Sequence, residues 1–117
     1  MLKPIPVYVI DGLLESGKTT FIKDTISSDD FFKKGTTLIL SGEEGEIEYE
    51  QSFLDKYNCV TKYFNNQDEF TSLNLAKLVS EIKPNRIVVE LNGMWDLSKI
   101  EFPMNFKVYQ FITFINF

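Results

Sequence analysis

Gly12, Gly17, Lys18 and Thr19 stand at the fixed positions of G-x-x-x-x-G-K-S/T, a spacing suited to holding phosphate. The two glycines allow backbone conformations, and a close approach, that a side chain forbids. Consecutive N–H groups over Leu13, Leu14, Glu15 and Ser16 then turn inward as an anion nest. Lys18 adds a mobile positive charge for the β- and γ-phosphates, and the Thr19 hydroxyl suits a Mg²⁺ that bridges them. Thr20 continues into a helix whose positive dipole end faces the same group. Glu15 lies inside the loop, where a carboxylate must point away from phosphate oxygens.

Two further groups could serve the same chemistry. Glu90 closes the apolar run Arg86-Ile87-Val88-Val89. A carboxylate at a strand end suits Mg²⁺, bound directly or through water, and the Gly93 N–H just beyond suits a γ-phosphate. The plainer reading is a strand-end Glu that caps a helix or forms a surface pair. Glutamates at positions 43, 44, 46, 48 and 50 follow the run Leu38-Ile39-Leu40. They read either as a solvated helix start or as a working loop. Trp95, the only tryptophan, sits a few residues past Glu90. It packs on the core or senses the state of its loop.

The elements that must position these groups follow from the apolar pattern. Strands are expected at 5–11, 36–41, 59–64, 86–90 and 107–116. Their continuous apolarity, without alternation, implies burial on both faces of a mostly parallel sheet. Phe21, Ile22 and Ile26 should share a face of the first helix. Residues 47–57 should form a second, with Tyr49, Phe53 and Tyr57 one turn apart. Asn66, with Glu69 three residues on, suggests a capping box for a third. Its stripe would be Phe70, Leu73, Ala76, Val79 and Ile82, widened by Leu75 and Leu78, and Lys83-Pro84 should end it. Strands alternating with helices make an α/β three-layer fold in one domain.

Composition narrows the function classes. The chain has 117 residues, 44% hydrophobic and 15% aromatic, which suits one globular domain. A net charge of -5 speaks against a nucleic-acid surface, though not against a nucleotide held locally. There is no histidine, hence no His base or His metal site, and Cys59 is the only cysteine. A reducing cytoplasm and no internal disulfide are therefore expected. Neither a signal peptide nor a membrane span is legible. The apolar run at 106–117 could pair between chains, so a homodimer is an open possibility.

Taken together and in order, three motifs resemble the CobW/HypB/UreG class of phosphate-loop GTPases, and its CobW-type members most. That family's loop is close to G-F-L-G-S-G-K-T-T; here it is Gly12-Leu13-Leu14-Glu15-Ser16-Gly17-Lys18-Thr19-Thr20. Its first switch resembles E-N-E-F-G-E-I-G-I-D; here Ser41-Gly42-Glu43-Glu44-Gly45-Glu46-Ile47-Glu48-Tyr49-Glu50 takes that place. Its E-x-x-G is matched by Glu90-Leu91-Asn92-Gly93. The resemblance implies a P-loop NTPase fold, GTP binding and slow Mg²⁺-dependent hydrolysis, coupled to delivery of a metal ion or to a metalloprotein client. Lys18, Glu43, Glu46 and Glu90 would then do the catalytic work, and Thr19 and Glu90 would arrange Mg²⁺. The family's C-x-C-C metal motif is missing here, and so is the N/T-K-x-D motif that selects guanine, so ATP remains an alternative. The second gap implies a truncated domain, the N-terminal portion of a longer protein. Two other readings stay open: a nucleotide-regulated adaptor or binding-incompetent fragment, and a P-loop kinase.

Overall fold

Val7 and Val9 of the first strand face one side of the sheet and Ile10 the other, and all three are buried. That two-sided burial extends across the sheet. The computed structural model describes residues 3–12, 18–42, 49–91 and 93–114. Its strands are β1 (Ile5–Gly12), β2 (Thr37–Ser41), β3 (Cys59–Tyr63), β4 (Arg86–Glu90) and β5 (Phe106–Phe114). The five expected strands are thus present at nearly the expected bounds, and residues 115–117 lie outside the described residues. The sheet is parallel throughout rather than mostly so, in the order β3-β2-β4-β1-β5. Every residue of β2 and β4 is buried, as strands covered on both faces must be.

The helices are α1 (Lys18–Ser28), α2 (Gln51–Tyr57) and α3 (Ser72–Ile82). Ile22 and Ile26 of α1 and Leu54 of α2 join Ile10, Ile39 and Val88 on one face. Leu75 of α3 joins Val7, Val9, Leu38, Leu40, Ile87 and Val89 on the other. This division follows from handedness. The chain steps one way along the sheet from β1 to β2 to β3 and then returns to β4 and β5. Right-handed crossovers therefore place α1 and α2 on one face and α3 on the opposite one. Each fully buried aliphatic side chain in these layers contributes about 1.5–3 kcal/mol.

Several local expectations need correction. Phe21 is 37% exposed and lies off the buried face of α1. Leu73 is 65% exposed and Ala76 is exposed too; the inward stripe of α3 is Leu75, with Leu78, Val79 and Ile82 half-buried. The inward stripe follows the 3.6-residue period from Leu75 rather than Leu73, and the helix also starts later than the capping box implied. Asn66 accepts the Asp68 N–H and caps only a 3-10 turn at Gln67–Glu69, while Thr71 accepts the Asn74 N–H and caps α3. Lys83 ends α3 in the left-handed region, where its N–H donates to the Val79 carbonyl. Helix α2 begins at Gln51, so Tyr49 precedes it; residues 47 and 48 lie outside the described residues. The Tyr49, Phe53 and Tyr57 rings still run in series, with centroids 6.2 and 4.8 Å apart.

Arg86 secures the opposite end of the sheet from Glu90. It is 5% exposed, donates to Thr37 Oγ1 at 2.8 Å and to the Lys34 carbonyl, and lies over the Phe32 ring. Among the described residues no helix is long and apolar enough to cross a membrane.

Candidate functional site

The site follows from where the chain turns back. Strands β1 and β4 are neighbours, but the chain leaves β1 toward the α1 face and leaves β4 toward the α3 face. Their exits diverge and open a crevice at the carboxyl ends of the strands, where open α/β sheets bind ligands. Gly12 and Glu90 are the last residues of those two strands. Lys18 and Thr19 open α1.

Glu90 is the centre of what is assembled there. It is 2% exposed, yet its carboxylate is well served. Thr19 Oγ1 donates to Oε2 at 2.5 Å, and Ser41 Oγ donates to Oε1 at 2.8 Å. The first distance is that of a charge-assisted O–H···O⁻ bond. Because the Thr19 proton is directed to Glu90, the lone pairs of Oγ1 are left for a cation. The Glu90 carbonyl accepts the Gly42 N–H at 2.8 Å, and Leu91 N–H donates to the Ile10 carbonyl at 2.8 Å. The exit of β4 is thereby tied to strands on both sides.

Two residues that sequence reasoning did not single out belong to this cluster. Ser41 is the polar residue that follows the apolar run Leu38-Ile39-Leu40 and ends β2, and it pairs with Glu90 in register. That polar ending was the available signal. Tyr49 is 7% exposed and lies on the same face as Ile10 and Val88. Its hydroxyl has no hydrogen-bond partner among the described residues. Burial pushes the Tyr49 phenol far above its usual range, and the nearby Glu90 carboxylate adds to the rise. The Thr19 hydroxyl opposes this from close by, without meeting hydrogen-bond geometry. An unpartnered buried hydroxyl costs about 1–3 kcal/mol. Asp11, 9% exposed at the end of β1, likewise has one oxygen, Oδ1, without a partner among the described residues.

A clasp holds the segment beyond Glu90. Gln67 Nε2 donates to the Asp96 carbonyl at 2.7 Å, and Asp96 N–H donates to Gln67 Oε1 at 2.9 Å. Trp95 meets Phe70 edge-on at 5.5 Å and covers Gly42, where a Cβ would collide with its six-membered ring. Trp95 thus touches the root of the acidic stretch. Gly93 lies in the turn between Glu90 and this clasp, half-buried.

Of the expected site residues, the structure brings Thr19 and Glu90 together and leaves Thr20 exposed beside them. Gly12 and Lys18 are described only by their backbone places in β1 and α1. Leu13, Leu14, Glu15, Ser16, Gly17, Glu43 and Glu46 lie outside the described residues. Among the described residues no group of three or more His, Cys, Asp or Glu could hold a metal ion. No protein-family model, curated protein or solved structure matches the chain.

Proposed function

We propose that this chain is a nucleotide-binding domain that hydrolyses GTP with Mg²⁺ through a phosphate loop at residues 12–19. The observation that carries the reading is the buried Glu90 carboxylate, which takes the Thr19 proton at the crevice between β1 and β4. An acidic group held against the hydroxyl that ends a G-x-x-x-x-G-K-S/T motif is what a phosphate-bridging Mg²⁺ site requires. The residues present suit that ion: Thr19 offers its lone pairs, and Glu90 sits one hydroxyl behind them. When bound, Mg²⁺ would neutralise charge on the β- and γ-phosphates.

The chain's own part is positioning. The motif N–H groups and Lys18 hold the phosphates, Glu90 orients Thr19, and Ser41 fixes the second Glu90 oxygen. Glu43 and Glu46 arrange the attacking water, and Gly93 offers its N–H to the γ-phosphate. Guanine preference, metal delivery to a metalloprotein client and a cytoplasmic setting rest on the resemblance of the three ordered motifs.

The test is a titration of Mg·GTP, and separately Mg·ATP, followed by Trp95 emission and by calorimetry, with Lys18→Ala as control. Saturable binding lost in the variant supports the reading, and a GTP preference supports the guanine assignment. Glu90→Gln should retain binding while phosphate release slows about 100-fold. No calorimetric binding of either nucleotide, or full affinity in Lys18→Ala, would sink it.

A further inference from the structure

Tyr49 is where the proposed site holds chemistry without an evident use. Its ring is secured on the α1/α2 face, with the Phe53 ring 6.2 Å away and Lys23 Nζ 6.0 Å from the centroid. A phenylalanine would fill that place equally well without burying an unpartnered hydroxyl. The oxygen is among the most sheltered polar atoms of the fold, beside Thr19 and Glu90. Its neighbours do not absorb it: neither the Glu90 oxygens, which accept from Thr19 and Ser41, nor Thr19 Oγ1 lies within hydrogen-bond reach of the phenol. The phenol remains a donor that lacks an acceptor among the described residues.

We propose that the Tyr49 hydroxyl donates a hydrogen bond to a terminal phosphate oxygen of the bound nucleoside triphosphate, so that Tyr49 separates triphosphate from diphosphate. This rests on the phosphate-loop reading above. The acceptor must come with the ligand. A metal-bound water offers protons rather than lone pairs and would leave the phenol unsatisfied. Phosphate oxygens are strong acceptors, and the hydroxyl of Thr19 would bring them here with the ion. Lys18 spans the β- and γ-phosphates, and the loop N–H groups serve the inner phosphates. A donor approaching from the β2–α2 connection serves the group that extends past them. Tyr49 also lies within the acidic stretch, between Glu48 and Glu50, so a bond to it would register the terminal phosphate at that stretch.

The test compares wild type with Tyr49→Phe by calorimetry, using Mg²⁺ with a non-hydrolysable GTP analogue and, separately, with GDP. Thermal melting without ligand is measured in parallel. The expected result is about 10-fold or greater loss of analogue affinity, GDP affinity within about twofold of wild type, and an unliganded melting temperature equal or higher. Equal losses for both nucleotides, or no loss for the analogue, would overturn the proposal while leaving the phosphate loop intact. A lower melting temperature would show that the hydroxyl is already partnered in the empty protein, and would overturn it too. If wild type bound neither nucleotide, the phosphate-loop reading itself would fail, and the role of Tyr49 with it.

Discussion

Ser41 and Glu90 are partners in the parallel register of β2 and β4, and the Ser41 hydroxyl donates to Glu90 Oε1 at 2.8 Å. Two adjacent apolar strands therefore end on the two halves of one buried hydrogen bond. Removing the donor leaves a carboxylate oxygen under-served where water is scarce. Ser41→Ala should lower stability by about 1.5–3 kcal/mol. The check is the midpoint of urea unfolding, with the slope unchanged.

Thr19 offers the complementary test, because its proton and its lone pairs have different tasks. On the proposed reading, Thr19→Ala should weaken Mg·GTP binding about 10-fold or more and remove most of its dependence on Mg²⁺. Thr19→Ser keeps the hydroxyl and should retain both. Titrations with and without EDTA would measure this; an undiminished Mg²⁺ dependence in Thr19→Ala would exclude Thr19 as an ion ligand.

The strands were legible because parallel strands buried on both faces are written as unbroken apolar runs. Ile87-Val88-Val89 and Leu38-Ile39-Leu40 admit little else. The pairing of Thr19 with Glu90 was half legible: each stood out by type and position, but their adjacency depends on β1 lying beside β4, which the order of motifs does not specify. Tyr49 was hidden because an aromatic at helical spacing from Phe53 reads as core, and only the environment of its oxygen distinguishes it. The α3 stripe was misplaced because its period runs from Leu75 rather than Leu73, and the helix start was misplaced by one cap. Asn66 and Glu69 satisfy the capping-box pattern, but Thr71 wins because Asn66 spends its side chain on the Asp68 N–H.

Gly42 is a glycine for reasons of space rather than dihedral angle, since the Trp95 ring lies on it. Gly42→Ala should displace the indole, shift its emission to longer wavelength and cost about 1–3 kcal/mol. Fluorescence spectra of the folded variant would show the shift, and an unchanged spectrum would mean that the ring can move aside without entering water.

Cys59 is buried, and burial pushes its thiol up to about 11. In the folded protein at pH 8 about one thiol in a thousand is then thiolate. Reaction with a disulfide reagent should be slow in buffer and fast in denaturant. The linkage has a definite sign. Between about pH 8.5 and 11 the unfolded chain loses the Cys59 proton more readily than the folded one, so this group lowers stability as pH rises through that window. Melting temperatures of wild type and Cys59→Ala should converge as pH rises across it.

Arg86 uses its fork to reach Thr37 Oγ1 and the Lys34 carbonyl at once, which a lysine cannot reproduce. Arg86→Lys should destabilise by about 2–4 kcal/mol. On the proposed reading, because Arg86 lies at the far end of the strands from Glu90, nucleotide affinity per folded molecule should be unchanged. Calorimetry on the folded fraction would test the separation.

The pairing of β1 with β5 sets Ile5 beside Phe106 and Gly12 beside Phe114. The strand that leads into the G-x-x-x-x-G-K-S/T motif therefore gains its second neighbour from chain made long after it. During synthesis, β1 must wait with one edge open until the segment through residue 114 has left the ribosome, and no local hairpin can stand in for it. Contacts this distant in sequence make for slow, late closure. The period of greatest exposure to misassociation thus falls before the Glu90 end of the sheet is complete, when a chaperone would have most to protect.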